Sequence, residues 1–316
     1  MRVVFFGTPD FAVESLDAIM QSSHEVAAVV TVPDRQAGRG KKVIYSAVKD
    51  YAVAHNLPLL QPEKLRDPDF LAALAAYKAD VFVVVAFRML PEAVWNMPPH
   101  GTFNLHASLL PRYRGAAPIN WAIINGEQET GVTTFLLNHQ IDEGAILMQE
   151  RTPIAPDETA GSLHDRLAAM GRGLVVQTLD SMAGGTVTPL PQQGESCPAP
   201  KIFKEDCQID FRSTAAQVDR FVRGLAPYPA AIMTLTNPKD EIVPFKIYSV
   251  KPLIEHHEMP CGALICDGKK VLKIATADGF VQVLELQMAG KKKNLVEDFL
   301  RGNSLTDWKS VPIKVS

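Results

Sequence analysis

Residues 2–10 read RVVFFGTPD. After Arg2 the run is apolar without alternation, the pattern of a strand buried on both faces of a parallel sheet. Gly7-Thr8-Pro9-Asp10 then turns the chain, and Thr8 or Asp10 is placed to cap a following helix. The same texture returns at 26–32 (VAAVVTV) and 80–87 (DVFVVVAF). Further strands are expected at 101–106 and 131–137. Helical patterns lie between, near 46–55, 68–78 and 116–125, and a longer one at 161–183 closes the unit. Strands alternating with helices predict an α/β fold with a doubly wound, mostly parallel sheet.

The texture changes at 184–204, GGTVTPLPQQGESCPAPKIFK, which is rich in Gly, Pro and polar residues and reads as a linker. Beyond it one helix is expected near 214–224. Short alternating segments follow at 230–236, 242–250, 262–266, 270–276 and 280–287, then a short helix near 294–301. Closely spaced short strands divided by turn residues predict a small antiparallel β-barrel. The expected organisation is therefore a domain over 1–183, a linker over 184–204 and a barrel over 205–316.

Composition narrows the class. Hydrophobic residues make up 47% and charged residues 21%, the balance of a globular protein with real cores. The net charge of −3 provides no general attraction to nucleic acid, so any anionic partner must be met by local clusters. The four cysteines, Cys197, Cys207, Cys261 and Cys266, form no C-x-x-C pair and have no histidine cluster beside them, so no metal site is expected. No apolar stretch reaches membrane-spanning length, and the opening apolar run is too short for a signal peptide. A cytoplasmic monomer without membrane contact is the expectation.

The stretch with most chemistry is 101–118, GTFNLHASLLPRYRGAAP. Asn104 and His106 are two apart on a predicted strand, so they share a face. They fall at a strand end, where open α/β sheets hold ligands. An amide N–H can stabilise an oxyanion, and an imidazole can move a proton near neutral pH. Asp142, in the turn QIDEG at 140–144, can approach the imidazole and fix its orientation. On the residues alone, a catalytic and a structural reading of the three both stand. His139 reads as a loop residue, and His256-His257 as a solvated turn.

The string NLHASLLPRYRGAAP followed by a D-x-G turn resembles the signature of the folate-dependent formyltransferases. FFGTPDFA at the start, QAGRGKK at 36–42 and QMAGKKKNLVEDFLRG at 287–302 resemble the subgroup acting on methionyl-tRNA. The resemblance implies a Rossmann-like catalytic domain followed by an OB-like barrel that binds tRNA. It implies transfer of formyl from 10-formyltetrahydrofolate to methionyl-initiator tRNA, giving N-formylmethionyl-tRNA for translation initiation. Asn104, His106 and Asp142 would then be catalytic, and Ser108, Leu109, Leu110 and Pro111 would hold the folate. One departure is visible: Arg88-Met89 follows Phe87 where the family has a small residue and an aliphatic one, and Arg88 is expected to point outward from the surface.

The loop at 35–42 carries Arg35, Arg39, Lys41 and Lys42 with two glycines. It reads as a solvated loop or, at the rim of a site, as a contact for tRNA phosphates. Lys291-Lys292-Lys293 is a second cluster. Three other readings compete with the resemblance. Formyl transfer to a small acceptor, or hydrolysis of the folate, would use the same triad. An NAD(P) oxidoreductase lacks its glycine-rich turn, since Gly7-Thr8-Pro9 stands in its place. A non-catalytic RNA-binding protein has no use for the triad.

Overall fold

The computed structural model describes residues 1–37 and 42–311, and of Gln36, Ala37 and Lys42 only the backbone. The chain divides into two compact units. The first comprises 1–118, 129–153 and 164–200; the second comprises 119–128, 154–163 and 201–316.

In chain order the elements up to residue 200 are β1 (Arg2–Gly7), α1 (Asp10–Met20), β2 (Glu25–Val30), β3 (Arg35–Ala37), β4 (Lys42–Ile44), α2 (Ala47–Ala54), β5 (Leu59–Leu60), α3 (Pro68–Ala76), β6 (Val81–Val85), α4 (Glu92–Trp95), β7 (Thr102–His106), β8 (Arg112–Gly115), α5 (Pro118–Ile124), β9 (Glu129–Leu136), β10 (Ile146–Pro153), α6 (Ala160–Ala183) and β11 (Cys197–Ala199). Seven strands form the sheet of the first unit, in the order β10-β9-β7-β6-β1-β2-β5. The pairs from β7 through to β5 are parallel, while β9 runs antiparallel to both β7 and β10. The apolar runs of β1, β2 and β6 are buried along nearly their whole length. Their layer includes Phe6, Phe70, Leu74 and Phe82. Because β1 is flanked by β6 and β2, the strand order reverses there, and ligands of such sheets bind beyond the carboxyl ends near that point.

Capping at α1 differs from expectation. Pro9 is the N-cap and makes no side-chain bond, while Asp10 is the first helical residue, where a carboxylate is favoured by the helix dipole. Ser46 caps α2 by accepting from the Lys49 N–H.

The second unit continues with α7 (Ala215–Leu225), β12 (Ala231–Thr236), β13 (Ile242–Leu253), β14 (Leu264–Cys266), β15 (Leu272–Ala275), β16 (Phe280–Met288), β17 (Asn294–Leu295), α8 (Val296–Gly302) and β18 (Lys309–Ser310). The order is β14-β15-β16-β13-β12-β18, all antiparallel, with β17 added to β16. The ends nearly close on one another: a Cβ at Gly262, just before β14, would come within 2.6 Å of Ser310 Oγ in β18. The barrel core is filled by Phe245, Ile247, Leu272, Val281 and Leu286, with Val218, Val222 and Leu225 of α7 packed against them. A capping box, Thr214 with Gln217, starts α7.

Two single-residue expectations are corrected. Arg88 does not point outward. Its guanidinium turns back to donate to the carbonyls of Pro62 and of Glu63 (2.9 Å), its Nε is buried without a partner, and burial lowers its pKa. His257 is not solvated. Its Nε2 lies 3.0 Å from the Thr276 carbonyl and 2.8 Å from that of Gly279, and its ring packs on Phe280. Among the described residues no helix is long and apolar enough to cross a membrane.

Candidate active site

The site grows from the end of β7. Phe103 and Leu105 are buried on one face of the strand, and Asn104 and His106 project from the other. His106 is 6% exposed, and its ring meets Phe135 edge to face at 6.4 Å. Its Nε2 lies 2.8 Å from the Tyr113 carbonyl oxygen. A carbonyl only accepts, so Nε2 carries the hydrogen and donates it. Nδ1 faces Asp142 Oδ2 at 3.9 Å, close enough for an ion pair but too far for a hydrogen bond. Asn104 is half-buried, and among the described residues its carboxamide has no hydrogen-bond partner. Its donors are therefore free for a ligand.

Asp142 is placed by different means. It lies in the turn between β9 and β10 with φ +54, a left-handed conformation that Asp tolerates better than most residues. Its Oδ2 accepts the Gly115 N–H at 2.9 Å. Glycine is required at 144, because a Cβ there would sit 1.6 Å from the Leu136 carbonyl oxygen. At the neck of the turn the Leu136 N–H donates to Ala145 at 2.9 Å. Three consecutive residues of β8 thus serve the site: the Tyr113 carbonyl holds His106, the Gly115 N–H holds Asp142, and Arg114 pairs with Glu143 at 2.9 Å. The sequence does not announce β8; among the described residues it pairs as a strand with β11 alone, in parallel, and no local signal marks such a pair.

The positions read as folate contacts form the loop between β7 and β8. Ser108 is fully buried and its hydroxyl donates to the Arg112 carbonyl at 2.7 Å, so its side chain serves the loop itself. The Ser108 carbonyl accepts from Thr133 Oγ1 at 2.6 Å, and the Leu110 carbonyl accepts from Gln149 at 2.9 Å. Leu109, Leu110 and Pro111 line a cavity of about 650 Å³ together with Ile146, Gln149 and Leu190. Asn104, His106 and Asp142 are not among its lining residues.

Of the basic loop, Arg35 is exposed in β3, which pairs with β4 as an antiparallel ribbon. Arg39 and Lys41 lie outside the described residues, as does the side chain of Lys42. In the other cluster Lys293 pairs with Glu285 at 2.9 Å and lies over the Tyr248 ring. All four cysteines are free thiols, and among the described residues no group of three or more His, Cys, Asp and Glu could hold a metal ion.

Comparison with known proteins bears on the family and the fold. The family model described as "Formyl transferase" matches residues 1–179, and that described as "Formyl transferase, C-terminal domain" matches 201–304. A methionyl-tRNA formyltransferase from Bacteroides thetaiotaomicron is 53% identical over 97% of this chain and 97% of its own length. One from Flavobacterium johnsoniae is 50% identical, covering 97% and 98%. Among solved structures, HypX from Aquifex aeolicus in complex with tetrahydrofolic acid is 21% identical with a TM-score of 0.65 over 99% of this chain, which spans 49% of that protein. WlaRD, a sugar 3N-formyl transferase solved with dTDP and 5-N-formyl-THF, is 18% identical with a TM-score of 0.63, covering 92% and 99%. These two likenesses speak for the fold; the family models and the relatives at half identity go further, and the chain belongs to the formyl transferase family.

Proposed function

We propose that the chain transfers the formyl group of 10-formyltetrahydrofolate to the amino group of methionyl-initiator tRNA. The observation that carries this reading is the clamping of His106 and Asp142 by nearby residues of β8, beside an Asn104 carboxamide with its donors free. The names carried by the half-identical relatives supply the acceptor.

The reaction needs no covalent enzyme intermediate. An α-amine ionises near pH ~7.7–8.0, so a useful fraction is a neutral nucleophile at pH 7. Its nitrogen attacks the formyl carbon, and the carbonyl electrons move onto oxygen. Asn104 donates to that oxyanion. With Nε2–H held by Tyr113, Nδ1 is the nitrogen of His106 left to carry a transferable proton. The intermediate collapses as the bond from carbon to N10 breaks. N10 receives a proton from His106 Nδ1, and the proton lost by the amine restores it. Asp142 faces Nδ1, keeps the ring oriented and balances its charge when protonated.

The surface of Leu109, Leu110 and Pro111 is the proposed folate contact; these apolar side chains suit an aromatic ring system, and Arg112, Glu129, Arg151 and Glu195 line the same cavity. For tRNA we propose the barrel, as the domain joined by the 184–204 linker, and the basic loop of Arg35, Arg39, Lys41 and Lys42. Formyl transfer to charged initiator tRNA and to a free dTDP-amino sugar, measured side by side with labelled 10-formyltetrahydrofolate, tests the acceptor. Label is expected on the tRNA; a sugar formylated faster would overturn the reading.

A further inference from the structure

We propose that Gln192, in the stretch of the first unit that follows α6, is a positioning residue that holds the Asp142 turn in its working geometry. This rests on the reading of Asn104, His106 and Asp142 given above. Of residues 188–196, Gln192 alone is not exposed. Both hydrogens of its carboxamide are used: Nε2 donates to the Asp142 carbonyl at 2.7 Å and to the Gly144 carbonyl at 2.9 Å. Its Oε1 accepts twice from Arg114, from Nε at 3.1 Å and from Nη2 at 2.7 Å. The same guanidinium reaches Glu143 through Nη1 at 2.9 Å. One amide thus spans the turn's two outer residues, and its anchor grips the residue between them.

The neighbouring backbone makes this a built arrangement. Leu190 exchanges two hydrogen bonds with Ile146, just beyond the turn, at 2.7 and 2.8 Å. Further on, β11 pairs with β8, the strand that also holds His106 and Asp142. The turn needs such help. Asp142 is in the left-handed region, and its carboxylate stops 3.9 Å short of Nδ1, so nothing local fixes that separation. A glutamine suits the place because it is neutral and offers donors and an acceptor together. Glutamate would set an oxygen against two carbonyl oxygens and bring a second negative charge beside Asp142.

The test uses the full chain with 10-formyltetrahydrofolate and charged initiator tRNA. Q192E is expected to lose kcat by on the order of 100-fold, the scale of an ångström-sized misplacement. KM for either substrate should stay within about twofold, because the loss falls on the transition state. Q192L should fall less, since it removes the bonds without adding charge. R114Q, which removes the donors to Oε1, guards against a Q192E protein that does not fold, and should cost kcat about tenfold. The decisive arm is the D142N background: if Gln192 acts through Asp142, Q192E adds less than about twofold to the loss already caused by D142N. Wild-type kcat in folded Q192E, Q192L and R114Q would overturn the proposal. So would an undiminished factor in the D142N background, which marks an independent structural role. Failure of the underlying site reading is visible separately, as wild-type kcat in D142N alone.

Discussion

The two halves of the site are held in place by different physics. Asn104 and His106 sit on β7, and the alternation of a strand inside a buried sheet fixes which way both point. Asp142 sits in a half-buried turn between antiparallel strands, where nothing periodic constrains it. It is fixed by contacts from far along the chain, Gly115, Gln192 and the Arg114–Glu143 pair, and by the close approach of Gly144 to Leu136 within its own hairpin. A strand residue inherits its geometry from the sheet, whereas a turn residue must be tied down bond by bond. The strand-borne pair should therefore fail through missing chemistry and the turn-borne residue also through misplacement.

The largest effect is expected from removing the proton carrier. His106→Ala should lower kcat by on the order of 1,000-fold while thermal unfolding stays close to wild type. A folded H106A protein with near-normal turnover would end the proposed role of the imidazole. Next comes Asn104→Asp, which replaces a free donor with an acceptor of nearly equal shape and should cost about 100-fold in kcat. Full activity at neutral pH would make Asn104 a structural residue and leave the strand half of the site without its oxyanion donor.

The same contrast explains what is legible in the sequence. The strands within the runs at 2–6, 26–32 and 80–87 are buried on both faces, so hydrophobicity marks them, and β7 with its N-x-H pair follows. β10 does not read as a strand because it is an edge, with Gln149, Glu150 and Arg151 exposed and no apolar pattern to betray it. β8 and β11 are invisible because they stabilise each other from 85 residues apart in numbering (Arg112 with Cys197), a tertiary fact with no local signature. Arg88 and His257 mislead for a related reason. Their polarity suggests solvent, yet both turn inward to backbone carbonyls. Gln192 carries no signal, since one glutamine among prolines and glycines resembles its neighbours until its hydrogen bonds are seen.

The smallest effect on the chemical step is expected far from the triad. If the loop at 35–42 meets tRNA phosphates, Lys41→Glu with Lys42→Glu should lower kcat/KM for charged tRNA and leave folate binding unchanged. For every phosphate no longer neutralised, the salt dependence should flatten by about one unit of log slope. An unaltered value and slope across a salt series would return the loop to plain solvated surface, and would weaken the choice of tRNA over a small acceptor.

On this mechanism the strand pair and the turn carboxylate act as one unit on the formyl group. The most direct test is the single-turnover rate constant of H106A, D142N and the double variant, measured with 10-formyltetrahydrofolate and methionyl-initiator tRNA. Groups that work together are strongly non-additive. The double variant is predicted to be no slower than the worse single variant, within about twofold. A double variant slower by the full product of the two single losses would mean that His106 and Asp142 act independently and do not form one catalytic unit.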